Sequence, residues 1–346
     1  MRLVRFEAEA GIRLGALWKD GGLIVDLRKA VAALLEAAGD PFADEEAAIR
    51  IPGDTAEFLR RGDRSEALVR EALAALEAGG LDPSGVTLSC DAVRLAVPIV
   101  PPLIVCGGAN FWDHLRELGR DKPDHVEFFL KNAESVVGPQ DPIPYRPWAS
   151  GKLDYEVELG IVIGRRARCV AAADALDFVF GYTVVNDMAI RDRQLFAYDP
   201  TTFHVKYGDG KVFDANSALG PAIVSRDEVP DPMNLPMSCS VDGAIRQDSN
   251  TRSYIWGVRE VVEYYSSMIT LEPGFVICPG TPGGCAVGSD PECGGRHAPR
   301  DPHGEYLRPG QSVMVAVGGI GTLRNEIGPG PAEGGATGQA ATETLS

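Results

Sequence analysis

Residues 154–159 constrain the fold of this chain more than any other segment, because acidic and apolar side chains alternate along them as they do in a β-strand. Side chains at alternate positions of a strand point to the same face, so Glu156 and Glu158 lie side by side while the apolar residues around them enter the core. Two neighbouring carboxylates repel each other, and without a cation one of them takes up a proton. The pair therefore indicates either a cation site or the solvent-facing side of an amphipathic strand.

A third carboxylate follows another apolar run. Residues 178–185 are mostly apolar, and Asn186 and Asp187 come directly after them. If Asp187 lies beside Glu156 and Glu158, the three carboxylates form an all-oxygen cage. Hard divalent ions prefer such a cage, so the sequence predicts a site for Mg²⁺ or Mn²⁺, with Ca²⁺ also compatible.

Composition narrows the classes of partner. The 346 residues include 33 basic and 49 acidic side chains, which give a net charge of −16. Such a surface repels phosphate backbones and anionic lipids, so we expect neither nucleic acid nor a membrane as a partner. The seven cysteines form no C-x-x-C pair, and the N-terminus lacks the apolar core of a signal peptide. These features favour reduced thiols and a cytoplasmic location.

The local sequence pattern divides the chain into three parts. Residues 1–92 read as a small N-terminal α/β domain, in which short strands are followed by helices rich in Ala, Leu and Glu. Residues 93–327 contain many short β-type runs separated by Gly and Pro, which predicts an α+β domain with a mixed β-roll or barrel-like core. Within it, residues 289–304 read as a surface insertion. Residues 328–346 are rich in Gly, Ala and Thr and are predicted to be a disordered tail.

Several motifs in a fixed order resemble the fumarylacetoacetate hydrolase family over roughly residues 95–327. They are Cys106-Gly107-Gly108-Ala109-Asn110-Phe111-Trp112-Asp113-His114-Leu115-Arg116-Glu117, Phe129-Leu130-Lys131, Asp154 to Leu159, Val185-Asn186-Asp187 with Arg191, Asp192 and Gln194, Lys211-Val212-Phe213-Asp214, Gly280-Thr281-Pro282, and Gly319-Ile320-Gly321-Thr322-Leu323-Arg324-Asn325. The resemblance implies a fold built around a β-roll, a divalent metal held by Glu156, Glu158 and Asp187, and a homodimer. It also implies a small substrate with a 2-oxo acid or 1,3-dicarbonyl unit.

His114 and Glu117 are the candidates for proton transfer. Their i, i+3 spacing places both on one face of a helical turn, where the carboxylate orients the imidazole and raises its basicity. On its own, His114 also reads as a solvated residue of a charged loop. The neighbouring Asn110 and Glu117 of the family pattern favour a catalytic role.

Other polar residues are candidates for binding the substrate. Lys211 is the natural partner of substrate or enolate charge and is our third catalytic candidate, although Lys206 competes for this role. The hydroxyl of Thr281, in a Gly-rich turn, is expected to donate to a substrate carboxylate. Further expected substrate-binding residues are Asn110, Lys131 and Gln194, and Lys131 can also pair with the metal-site carboxylates.

The first functional hypothesis is a metal-dependent hydrolase that cleaves a C–C bond in an acylpyruvate or related 2,4-dioxo acid. The alternatives are a decarboxylase or isomerase of a β-oxo acid, and a non-hydrolytic tailoring or binding member of the family. A zinc site at Cys293, His297 and His303 is disfavoured because no fourth ligand of matching spacing is evident. A glycosidase is disfavoured because Glu156 and Glu158 lie too close together.

Overall fold

The computed structural model describes residues 1–199, 202–298 and 305–329, without the side chains of residues 196–199 and 202–204. Of the predicted disordered tail, residues 330–346 lie outside the described residues, as does His303. The described strands are β1 Arg2–Ala8, β2 Gly11–Trp18, β3 Leu23–Asp26, β4 Thr87–Ser89, β5 Leu95–Ala96, β6 Ile104–Gly108, β7 Glu127–Lys131, β8 Val136–Val137, β9 Ile143–Pro144, β10 Leu153–Asp154, β11 Val157–Ile163, β12 Val179–Asp187, β13 Ala189–Ile190, β14 Leu195–Asp199, β15 Thr202–Val205, β16 Ser217–Ser225, β17 Pro236–Val241, β18 Ala244–Asn250, β19 Val276–Cys278, β20 Ser312–Val317 and β21 Gly321–Gly328.

Helices are fewer and mostly short. The described α-helices are α1 Leu27–Ala37, α2 Ala43–Arg50, α3 Thr55–Arg60, α4 Asp63–Glu77, α5 Trp112–Leu118, α6 Arg191–Gln194, α7 Tyr207–Lys211 and α8 Val258–Met268. Asp26 and Asp54 cap α1 and α3 by accepting backbone N–H groups, which local sequence alone favours. Within the described part of the chain, no helix is both long and apolar enough to cross a bilayer.

Two open sheets carry the architecture, which confirms the predicted α+β class. The larger sheet runs β4-β3-β2-β1-β16-β12-β11-β19-β6-β7, with β5 and β8 attached at its side, and the smaller runs β18-β17-β20-β21-β9. Neither sheet closes into a barrel within the described residues. The main core lies between them, because the largest group of buried apolar side chains includes Val157 and Leu159 of β11 and Val313 and Val315 of β20.

The N-terminal strands extend the larger sheet. Strand β1 pairs antiparallel with β16, so that Leu3 lies opposite Ile223. Helices α1 and α4 cover this part of the sheet, and their apolar faces share one buried cluster with Val276 of β19. The division into a 1–92 domain and a 93–327 domain stays a prediction.

The central strands place the candidate site. Strand β11 lies between β12 and β19, and β19 continues into the turn at Gly280 and Thr281. Strand β6 pairs parallel with β19 and leads into helix α5, which carries His114. Segments that are far apart in sequence therefore end at the same edge of one sheet.

Candidate metal centre and active site

The register of β11 and β12 brings the three acidic residues together. Val157 lies opposite Asn186, and Glu158 lies opposite Val185. Next to this pair, the Asn186 side-chain oxygen accepts the Glu156 N–H at 3.0 Å, and the Asp187 N–H donates to the Glu156 carbonyl at 2.9 Å. Asn186 thus positions the backbone of Glu156 and Asp187, which carry two of the carboxylates.

The three carboxylates form a buried cluster. Glu156, Glu158 and Asp187 each offer a carboxylate oxygen within 4.8 Å of the others. The exposed fractions of their side chains and backbones are only 5%, 1% and 1%. The alternative of a solvent-facing strand is therefore excluded, since both faces of β11 are buried.

Three cations surround this cluster. Lys131 donates to Asp187 and, at 3.0 Å, to the Ser217 hydroxyl. Lys211 Nζ donates to Glu156 Oε2 at 2.5 Å and to both the carboxylate and the carbonyl of Asp187 at 2.8 and 2.9 Å. Arg191 donates to Glu156 Oε1 at 2.5 Å. The two carboxylates with these cationic partners remain ionised despite their burial.

The pKa shifts separate the three acids. Burial disfavours the charged forms of Glu156 and Asp187, but their lysine and arginine partners outweigh it and lower the pKa of each carboxyl. Burial raises the pKa of Glu158 well above its usual value, and the charges of Asp187 and Glu156 raise it further. The Gly280 N–H, which donates to Glu158 Oε2 at 2.8 Å, opposes this shift only weakly. Glu158 thus carries the carboxylate charge that lacks compensation.

The cluster fits a hard divalent ion. All three donors are carboxylate oxygens, which Mg²⁺ and Mn²⁺ prefer over nitrogen or sulfur. Burial raises the pKa of Glu158, and with Asp154, which shares Arg191 with Glu156, four buried carboxylates lie among the three cations. A dication supplies the missing positive charge, so the residues present match the ion that the sequence predicts.

His114 and Glu117 form a buried pair on α5. His114 Nδ1 lies 2.6 Å from Glu117 Oε1, and the residues are 9% and 6% exposed. The second carboxylate oxygen of Glu117 accepts the Gly284 N–H at 2.7 Å. Since the carboxylate accepts the Nδ1 proton, Nε2 is left as the nitrogen that can take up a proton. The reading of His114 as a solvated loop residue is excluded by its burial.

His114 and the acidic cluster are connected by one cavity. Its lining includes His114, Glu156 and Lys211 together with Gln194 and Thr281. Arg120, at the start of the loop after α5, also lines it, and its guanidinium is 3.5 Å from Glu127. A small molecule in this cavity therefore meets a proton acceptor, a cation site and a positive charge.

Several predicted substrate-binding groups have protein partners in this structure. The three donors of Lys211 point to Glu156 and Asp187, so this lysine contacts the acidic cluster. The Asn110 amide exchanges two hydrogen bonds with the backbone of Trp256, at 3.0 and 2.9 Å. Its substrate contact stays a prediction.

Thr281, Gln194 and Lys131 are also engaged. The Thr281 hydroxyl donates to the Val157 carbonyl at 3.0 Å, and Gln194 Oε1 accepts from Arg191 at 2.7 Å. Lys131 is 1% exposed and contacts Asp187, which agrees with pairing to the acidic cluster. Direct substrate contacts of the three remain predictions.

Three supporting residues were not among the predicted site residues. Arg191 connects Glu156 to Asp154, whose carboxylate accepts Arg191 Nε at 2.7 Å and the Ala286 N–H at 2.8 Å. Gln247 donates to Thr281 Oγ1 at 2.9 Å and accepts the Val157 N–H at 2.9 Å. Arg191 and Asp154 stand in the quoted motifs and were detectable there, whereas Gln247, on β18 of the other sheet, has no local signal.

A cavity with an acid–base pair beside a cation-binding cluster is typical of an enzyme active site. The family described as "Fumarylacetoacetate (FAA) hydrolase C-terminal" matches residues 103–328. A mitochondrial oxaloacetate tautomerase of Bos taurus, FAHD2A, is 34% identical over 329 residues, which cover 94% of this chain and 91% of the relative. The chain belongs to the fumarylacetoacetate hydrolase family and is an enzyme of that family.

Solved structures agree with this family. Fumarylacetoacetate hydrolase from Exiguobacterium antarcticum superposes with a TM-score of 0.71 at 28% identity, over 95% of this chain and 99% of that one. Maleylpyruvate hydrolase from Sphingobium sp. SYK-6, in complex with manganese(II) and pyruvate, gives a TM-score of 0.67 at 26% identity, over 96% and 100% of the two chains. The likeness covers the N-terminal strands as well as the catalytic core.

Proposed function

We propose that this protein is a metal-dependent tautomerase that interconverts the enol and keto forms of a 2-oxo dicarboxylic acid of the oxaloacetate class. The observation that carries the proposal is that His114, which is paired with the buried Glu117, lines the same cavity as Glu156 of the acidic cluster. Tautomerisation needs one proton to move between an oxygen and a carbon, and a single oriented imidazole can perform this transfer. The similarity to oxaloacetate tautomerases over 94% of the chain supports the same reaction.

In this mechanism the acidic cluster holds the metal ion, His114 transfers the proton and Glu117 orients His114. A Mg²⁺ or Mn²⁺ ion held by Glu156, Glu158 and Asp187 supplies Lewis-acid stabilisation of developing negative charge. His114 Nε2 accepts the proton of the enol hydroxyl and returns a proton to the adjacent carbon. Glu117 keeps the Nδ1 proton in place and stabilises the imidazolium that forms between the two transfers.

The second carboxylate of the substrate needs a cation other than Lys211. The Lys211 donors are all directed to Glu156 and Asp187, so this residue acts as a positioning residue for the metal ligands. Arg120 lines the cavity and has a longer contact of 3.5 Å with Glu127. A guanidinium binds carboxylates in a fork geometry, so Arg120 is the group that selects a dicarboxylic acid.

The test follows the ultraviolet absorbance of enol-oxaloacetate as it converts to the keto form in the presence of Mg²⁺ or Mn²⁺. His114→Ala is expected to lower the enzymatic rate about 10²–10⁴-fold, the usual contribution of a general acid–base group. His125→Ala is the matched control, because His125 is an exposed histidine in the loop after α5. Equal rates in wild type and His114→Ala contradict the proposal.

Hydrolysis of a C–C bond is the second candidate, because the same His114–Glu117 pair could deprotonate a water molecule for attack on a carbonyl. The likeness to the maleylpyruvate hydrolase structure favours this alternative. Incubation with acetylpyruvate distinguishes the two reactions, since a hydrolase releases pyruvate and acetate. Carbon dioxide release from oxaloacetate identifies a decarboxylase instead. If the enzyme releases a cleaved acid as its main product and does not accelerate the exchange of the tautomers, hydrolysis replaces tautomerisation as the function.

A further inference from the structure

A buried thiol that the proposed reaction does not use lies beside the catalytic pair. Cys285 is 1% exposed, and its sulfur, the His114 ring and the Glu117 carboxylate offer ligand atoms that lie within 4.8 Å of one another. The fold fixes this arrangement, because the N–H of Gly284 donates to Glu117 at 2.7 Å and Cys285 follows it directly. The Gln247 amide donates to the sulfur at 3.3 Å.

The chemistry of these three groups differs from that of the acidic cluster. Imidazole, carboxylate and thiolate together suit a borderline-soft ion such as Zn²⁺, whereas Mg²⁺ and Mn²⁺ avoid sulfur. Zinc bonds of about 2.0–2.3 Å place tetrahedral ligand atoms roughly 3.3–3.8 Å apart. All ligand atoms here lie within 4.8 Å of one another, so side-chain shifts of no more than about 1 Å complete the geometry.

An ion can reach this group without passing through the substrate cavity. A second cavity of about 630 Å³ is lined by Glu117 and Cys285 but belongs to another side of α5. The exposed His297 also lines it, and the acidic residues Asp113, Glu117 and Asp248 there outnumber the one arginine, Arg246. Negative charge attracts a cation into this cavity, and it ends at two of the three ligands.

We propose that His114, Glu117 and Cys285 form a second, inhibitory site for Zn²⁺ or another soft divalent cation. The ion binds the thiolate, whose proton is released to solvent, and binds His114 Nδ1, whose proton moves to Nε2, so the imidazole can no longer accept a proton from a substrate. Inhibition in this form rests on the proposed function of the pair, whereas ion binding does not. The enzyme would thus need a hard ion at one site and be blocked by a soft ion at its neighbour.

Cobalt spectroscopy tests the binding itself. The full chain is saturated with Mg²⁺ to occupy the acidic cluster and is then titrated with Co²⁺, whose bond to a thiolate gives a charge-transfer band in the near ultraviolet. Wild type is expected to show the band, and Cys285→Ala to lack it. Cys293→Ala is the matched control, because Cys293 is another buried cysteine of the same segment and lies outside the three-residue group. No band in wild type, or an equal band in Cys285→Ala, overturns the proposal.

Zinc inhibition of enol-oxaloacetate turnover provides the second readout. Cys285→Ala and the closer replacement Cys285→Ser are expected to need at least tenfold more Zn²⁺ for half-inhibition than wild type and Cys293→Ala. Equal sensitivity of all four proteins places the inhibition at the acidic cluster and overturns the proposal. If the protein has no tautomerase activity but shows the cobalt band, the proposed function fails while the ion site stands.

Discussion

The replacement Glu117→Gln tests how the catalytic pair works, because it changes a proton position while keeping the size of the side chain. In the wild type, one carboxylate oxygen accepts from His114 Nδ1 at 2.6 Å and the other accepts the Gly284 N–H at 2.7 Å. A glutamine has one oxygen and one amino group for these two partners. Gly284 can only donate, so the glutamine oxygen turns to it and the amino group faces the imidazole.

This exchange reverses the tautomer of His114. Nδ1 must then accept a hydrogen bond, so the ring proton moves to Nε2, which can no longer take a proton from a substrate. We expect kcat for enol-oxaloacetate to fall about 10²–10⁴-fold, the range for loss of a general acid–base group. This loss corresponds to an increase of about 3–5 kcal/mol in the activation free energy.

The assay compares kcat with and without Mg²⁺ or Mn²⁺, and calorimetry measures metal binding by the same variant. Metal affinity should stay at the wild-type value, since Glu117 is outside the group of Glu156, Glu158 and Asp187. The exposed Glu134→Gln is the matched control for a change of one charge. A kcat within about threefold of wild type, with metal binding intact, would refute the tautomer argument.

Three other perturbations address the acidic cluster and the substrate. The pKa of Glu158 is raised in the folded, metal-free protein, so its stabilising contribution is complete below the unfolded pKa and is lost as pH rises through the folded pKa. Thermal melts in the presence of a chelator should therefore show that the stability of the wild type falls as pH rises, and that the stability of Glu158→Gln falls less. Calorimetry should show that Glu158→Gln no longer binds the metal. Lys131→Met leaves Asp187 without one of its buried cations and should lower the free energy of unfolding by about 3–5 kcal/mol, measured by urea titration; a change under about 1 kcal/mol contradicts the importance of this pair. Arg120→Ala should raise KM for oxaloacetate roughly 10–100-fold, because a hydrogen bond to a charged group is lost. KM for a monocarboxylic 2-oxo acid should stay unchanged, and equal changes for both substrates would contradict the role of Arg120.

Strand patterns made much of the fold predictable. Among the short β-type runs of this region, residues 104–106, 160–163, 220–224 and 312–317 lie in strands, because short apolar segments between Gly and Pro have few other ways to bury their side chains. Helix α8, Val258–Met268, was not predicted. Its apolar residues are separated by Arg259, Glu260 and Glu263, yet Val261, Val262 and Tyr265 pack fully buried in the main core. Tertiary packing thus decided a segment whose local composition is ambiguous.

The candidate site shows the same division between local and tertiary information. The spacing of Glu156 and Glu158 predicts that they lie on the same face of the strand. Their burial depends on the packing of the smaller sheet over β11, which no local pattern encodes. The pairing of His114 with Glu117 needed only one helical turn.

The roles of the two lysines depend on distances between groups that are far apart in sequence, and the sequence does not give these distances. A lysine near a metal motif is equally suited to a substrate anion and to a ligand carboxylate, and only the position of its Nζ decides between them. Here Lys131 and Lys211 enter the acidic cluster from β7 and α7, and their charges lower the pKa of Asp187 while leaving Glu158 uncompensated. The arrangement lowers the pKa of two carboxyls and raises that of the third, so Glu158 is the group whose protonation competes with a dication. Metal uptake below the raised pKa of Glu158 should therefore release a proton from this residue, which links the electrostatics of the cluster to the affinity of the site for its ion.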